Sequence, residues 1–219
     1  ESIDLYKKVL PNKLLTTNFE YHKYFIDVQK LLIEKYSQKD LIFKTHHFFG
    51  DLNDYSFANK ETTLLFIYLV RDPREVLISY ARYNNRTIEH CIEEFISDKI
   101  MRKIHMEIIV NWSLHYKSWK SFSSVPSLFI KYENLVLDPK NTFLNLLNFL
   151  KKFIDISIDD DLVNKAVSLT KFNNLKKLEN NSGFVENLGS NNFFHSGKIN
   201  SWKKILNKNK KNIIEKNFK

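Results

Sequence analysis

The sequence predicts an α/β fold, a parallel sheet flanked by helices, from two observations. Short runs rich in β-branched and aromatic residues alternate with longer segments of helical period, and each run ends in polar residues able to do chemistry. The expected strands are Leu41 to Thr45, Leu64 to Val70 and Ser127 to Tyr132. Phe25, Val28 and Leu32 mark a first helix, Val76, Tyr80 and Tyr83 a second, and Ile108, Trp112, Tyr116 and Trp119 a third. A fourth starts with Asp138 as N-cap and Pro139 at its first position, and is expected to bury Phe143, Leu146, Leu147, Leu150 and Phe153. The polar stretch from Asn180 to Asn192, with Gly183 and Gly189, reads as a surface loop or flap.

The chain has 219 residues, 43% hydrophobic and 14% aromatic, enough for a buried core. With four glycines and four prolines it shows neither linker nor repeat, so residues 1–219 are expected to form a single domain. No apolar run approaches the roughly 20 residues of a membrane helix. A lone Cys91 leaves no intrachain disulfide to form, which fits a reducing compartment, the cytoplasm. The formal charge of +9 would attract polyanions, but it comes from lysines scattered among asparagines, as a solvated surface also requires.

In open parallel sheets ligands bind beyond the carboxyl ends of the strands, which here read "FKTHH", "VRDPRE" and "KYENL". Asp72 can cap the helix that Pro73 opens, and Ser79, seven residues on, returns to the face beside Arg71. A guanidinium and a hydroxyl facing one space suit a phosphate; a local salt bridge with a packed serine is equally open on this stretch alone. Strand alternation puts Lys44 and His46 on one face, a cation beside a potential general base or a hydrogen-bonded structural histidine. Tyr132 could stack on a base or close the core. In "FFHSGKINSWKK", Gly197 lets the backbone approach an anion.

Taken in order, "KTH", "RDPREVLISY", "NWSLHYKSW", "YENLVLDPKNTFLNLLNFL" and "FFHSGKINSW" resemble the sulfotransferases that use 3′-phosphoadenosine 5′-phosphosulfate (PAPS), from about Leu41 to Trp202. The resemblance implies a three-layer, P-loop-nucleotide-hydrolase-like parallel sheet flanked by helices, incomplete at the amino end. It implies that Arg71 and Ser79 bind the 3′-phosphate, and that Tyr132, Thr170 and Phe172 lie against the nucleotide. His195, Ser196 and Gly197 stand where the family has an Arg-Lys-Gly-like loop over the phosphates, with histidine in place of arginine. His46 would be the general base, with Lys44 near the transferring sulfuryl group. The resemblance implies PAPS as co-substrate, a small-molecule hydroxyl or amine acceptor and no metal; no nucleic acid partner is expected, and no membrane span lies in these residues.

The family's Pro-Lys-Ser-Gly-Thr-Thr-like loop for the 5′-phosphosulfate does not occur between Glu1 and Asp40. The expectation is a fragment cut at its amino end, binding PAPS poorly and turning over little. The alternative is a non-catalytic nucleotide- or polyanion-binding protein on the same scaffold. A P-loop kinase would need a Gly-x-x-x-x-Gly-Lys-Ser/Thr loop, which the sequence does not contain.

Overall fold

A computed structural model describes residues 18–97, 102–104, 107–185, 187 and 191–218. The elements run α1 (Asn18–His22), α2 (Phe25–Lys35), β1 (Asp51–Leu52), β2 (Tyr55–Ser56), β3 (Phe66–Val70), α3 (Pro73–Tyr83), α4 (Ile88–Ile96), β4 (Arg102–Ile104), β5 (Glu107–Ile109) and α5 (Trp112–Ser121). They continue with β6 (Ser127–Lys131), α6 (Tyr132–Leu137), α7 (Pro139–Leu150), α8 (Asp160–Leu169), α9 (Phe172–Ser182), α10 (Trp202–Ile205) and α11 (Lys208–Asn217). The expected α/β class is the one found, helix mixed with parallel sheet. The chain forms two compact units, one within Glu1–Phe66 and Ser97–Ser127, the other within Ile67–Ile96 and Leu128–Lys219.

In the first unit β1 and β2 form a hairpin whose turn residues, Asn53 and Asp54, both adopt positive φ. That is the turn whose twist matches paired strands, and these residue types tolerate it. β4 and β5 pair antiparallel, Lys103 opposite Ile108. Phe48, Ile108 and Val110 form a buried cluster with Leu52 against it. Phe66 and Phe49 stack on Phe122, with centroids 5.7 and 4.1 Å away.

In the second unit β3 and β6 are hydrogen-bonded neighbours. Asp72 caps α3 by accepting the Arg74 N–H, and Pro73 follows at the first helical position, as the sequence indicates. Leu77 and Ala81 of α3 and Cys91, Ile92 and Phe95 of α4 are buried, and α11, with Ile214 buried, packs on both helices.

The structure corrects several expectations. Leu41 to Thr45 forms no strand: Ile42 and Phe43 are 90% and 58% exposed, and β propensity without a paired neighbour yields an extended chain with no ladder. Ile108 belongs to β5, and its helix starts only at Trp112, after Asn111 caps it through the Leu114 N–H. Tyr132 begins α6 instead of ending the strand. The helix capped by Asp138 forms, but none of its residues is fully buried, and Phe153 lies exposed beyond its end. The stretch from Asn180 begins as the last turn of α9, ended by Gly183 at φ 74°; Gly189 lies outside the described residues.

Candidate functional site

In the second unit β3 delivers Arg71 to the start of α3. Its Nη2 donates to Glu75 Oε2 at 3.3 Å and to the Lys198 carbonyl at 3.1 Å, and its guanidinium lies over the Tyr132 ring, 4.3 Å from the centroid. The head group is therefore fixed by an aromatic face and two acceptors. Its Nε is buried with no hydrogen-bond partner, a donor that an anion could complete. Burial works to raise the Asp72 carboxyl, but the hydrogen bonds and charge of Arg74, aided by Arg71, prevail and hold it below the usual carboxylate range. Ser79 is half-buried on α3, two turns past Asp72.

Glu75 does not stand out in the sequence as a site residue, yet it is buried and accepts from Ser201 Oγ at 2.7 Å and Trp202 N–H at 2.9 Å as well as from Arg71. Its i, i+4 spacing from Arg71 is the signal that could have found it. Buried Glu179 of α9 takes the N–H groups of Phe193 and Phe194 at 2.6 and 2.9 Å, just before His195. Lys176 Nζ donates to the His195 carbonyl at 3.4 Å. Gly197 sits at φ 61°, and a Cβ there would fall 2.4 Å from Cδ2 of Phe172. The ring of Phe172 thus packs against the glycine backbone, while Ser196 and His195 stay exposed. Desolvation, then the charges of Arg82 and Lys176, lowers the His195 pKa, so it carries little positive charge at neutral pH. Exposed Thr170 donates its hydroxyl back to the Ala166 carbonyl at 2.8 Å.

In the first unit Lys44 and His46 are exposed while Thr45 turns inward and His47 is fully buried. The two-residue alternation survives without a ladder. His47 Nδ1 accepts the Ile108 N–H at 2.8 Å, so in the neutral ring Nε2 carries the proton and donates to His22 Nδ1 at 3.0 Å. His22 then donates from Nε2 to the Tyr55 carbonyl at 2.6 Å. Desolvation, then the charges of His22 and His115, pushes His47 down to about 3. Sequence reasoning missed this pair because its partners are 25 residues apart. Phe48 is core, Tyr55 is exposed, and Phe49 lines an open cleft of about 650 Å³ with Ser118 and Phe122. Among the described residues no His/Cys/Asp/Glu group is placed to hold a metal, and no helix is long and apolar enough to cross a membrane.

Within the second unit the geometry offers an anion an aromatic-backed arginine with an uncompleted donor, and a glycine packed against an aromatic ring. Comparisons with known proteins agree with the resemblance. Rabbit (Oryctolagus cuniculus) amine sulfotransferase is 26% identical over 68% of this chain and 50% of its own length. Arabidopsis thaliana cytosolic sulfotransferase 16 is 24% identical over 77% of this chain and 53% of its own. The chain spans about half the length of the curated relatives it matches. Among solved structures, mouse sulfotransferase SULT7A1 complexed with PAP superposes with a TM-score of 0.55 at 21% identity, covering 69% of this chain and 56% of that one. Retinol dehydratase in complex with androsterone and PAP gives 0.51 at 20% identity, over 70% and 47%. The family model described as the sulfotransferase domain matches residues 4–219, and the chain belongs to that family.

Proposed function

We propose that the protein transfers a sulfuryl group from PAPS to a hydroxyl or amine acceptor, with residues 1–219 acting as one sulfotransferase domain. The observation that carries this reading is Arg71, held on Tyr132 and between Glu75 and Lys198 with its buried Nε still lacking an acceptor, in a chain of this family. Arg71 and Ser79 bind the 3′-phosphate; Tyr132, Thr170 and Phe172 bound the nucleotide; His195, Ser196 and Gly197 cover its phosphates. PAPS supplies an activated S–O bond to phosphate, which breaks as the acceptor's bond to sulfur forms. His46 takes the acceptor's proton, and Lys44 balances charge on the sulfuryl oxygens. Small-molecule acceptors fit the family, and the name of the rabbit relative, amine sulfotransferase, supports an amine among them. The name of the Arabidopsis relative, a cytosolic sulfotransferase, supports the cytoplasm as its location.

The test is calorimetric titration of adenosine 3′,5′-bisphosphate into the chain and its Arg71→Ala variant. We expect at least a tenfold loss of affinity, since a charge-assisted phosphate contact contributes about 1.5–3 kcal/mol. Equal affinities overturn the assignment. The +9 charge favours the second reading, a non-catalytic polyanion binder. That reading predicts heparin binding that the nucleotide does not compete away.

A further inference from the structure

His46 raises a positional problem. A residue at a strand's end is ordinarily held by the ladder on either side of it, but Leu41 to Thr45 makes no ladder and the ring of His46 is exposed. A proton acceptor with a loose backbone would sample many positions, and misplacement by about 1 Å can cost on the order of a hundredfold in rate.

Side chains replace the ladder. Glu107 Oε1 accepts the His46 N–H at 2.7 Å and the Thr45 hydroxyl proton at 2.7 Å. The same Thr45 oxygen accepts the His47 N–H at 3.0 Å, so one carboxylate oxygen and one hydroxyl tie three consecutive residues together. On the other side His115 Nε2 lies 3.2 Å from the His46 carbonyl; a carbonyl can only accept, so that nitrogen carries the proton. Desolvation foremost lowers the His115 pKa, outweighing its backbone hydrogen bonds to His46 and His47, which raise it. Beyond His46 the chain is pinned again, by Trp119 Nε1 donating to the His47 carbonyl at 2.9 Å and by the His47 ring on the Ile108 N–H. Both peptide groups flanking His46 are therefore held by β5 and α5, while its ring remains free to meet a substrate.

We propose that Glu107 and His115 are positioning residues for His46, a side-chain clamp that fixes its backbone from both sides in place of a β ladder. The inference rests on reading His46 as the general base. Thr45 couples the clamp to the buried His47–His22 pair, so that the exposed base inherits the rigidity of the core.

Two measurements test it on the 219-residue chain. By NMR, Glu107→Ala should speed hydrogen exchange of the His46 amide at least tenfold, with Ile108 and Val110 unchanged; Glu107→Gln, which keeps an oxygen acceptor, should restore most of the protection. Unchanged His46 exchange in Glu107→Ala overturns the clamp; if that variant does not fold, unchanged exchange of the His47 amide in Thr45→Val, which removes its acceptor, does. Relative to the parent chain's own low turnover, followed with radiolabelled PAPS and either 2-naphthol or aniline, Glu107→Ala should lower kcat at least tenfold with KM for PAPS within twofold, and Glu107→Gln should recover most of kcat. If His46→Gln retains full turnover, the general-base reading fails. If His46→Gln abolishes turnover while Glu107→Ala keeps kcat within twofold, the clamp alone fails.

Discussion

At the scale of single residues, charge and burial act against each other most sharply at His47. An unfolded His47 takes up its proton near pH 6.5, the folded one only near 3, because desolvation opposes the charge and His22 and His115 lie close by. Between those values the unfolded chain binds more protons, so stability holds its plateau above about pH 6.5 and falls as pH drops toward 3, by up to about 5 kcal/mol in all. Urea midpoints measured from pH 7.5 to 4 should decline, and His47→Leu should flatten the decline while lowering the plateau, since it orphans the Ile108 N–H. Equal slopes for the two proteins would show that other groups set the acid limit. The sequence disclosed Arg71, Asp72 and the Lys44/His46 face because each signal is local: a strand end, a cap, a two-residue alternation. It hid His22, Glu107 and Glu179 because their partners come from segments 14 to 62 residues away.

Among elements, the loop before α10 lies tight against α9. Gly197 at positive φ lies on the Phe172 ring, and Glu179 holds the two amides leading into that loop. Gly197→Ala would add left-handed backbone strain of about 1 kcal/mol and a contact that forces either ring or loop to move. We expect thermal stability within about 3 °C of the parent and at least a fivefold weaker affinity for adenosine 3′,5′-bisphosphate. An unchanged affinity would mean the loop does not cover the phosphates. The start of α3 was legible to the residue, since Asp-Pro specifies it, and the period marked its face. The Leu41 to Thr45 strand was misread because apolar alternation reports a capacity to pair, whereas a ladder also needs a neighbour.

Over the whole molecule, one family model spans residues from both compact units, which explains why motifs scattered from Lys44 to Gly197 can be read together although none of them is convincing alone. Their order carries the information; their spacing in three dimensions does not. Cys91, fully buried in α4, has a further use. Burial first, then Glu94, pushes its thiol up to about 11. In the folded protein it is thus both shielded and protonated, and a disulfide reagent such as Ellman's can reach it only when the α3–α4 packing opens. Labelling should be slow at pH 7.5 and accelerate with urea in parallel with the loss of far-ultraviolet circular dichroism. Fast labelling in native buffer would reveal local opening of α4 instead. As the chain's single sulfhydryl, Cys91 is a built-in clock, one reacting atom per molecule that times how often the second unit breathes.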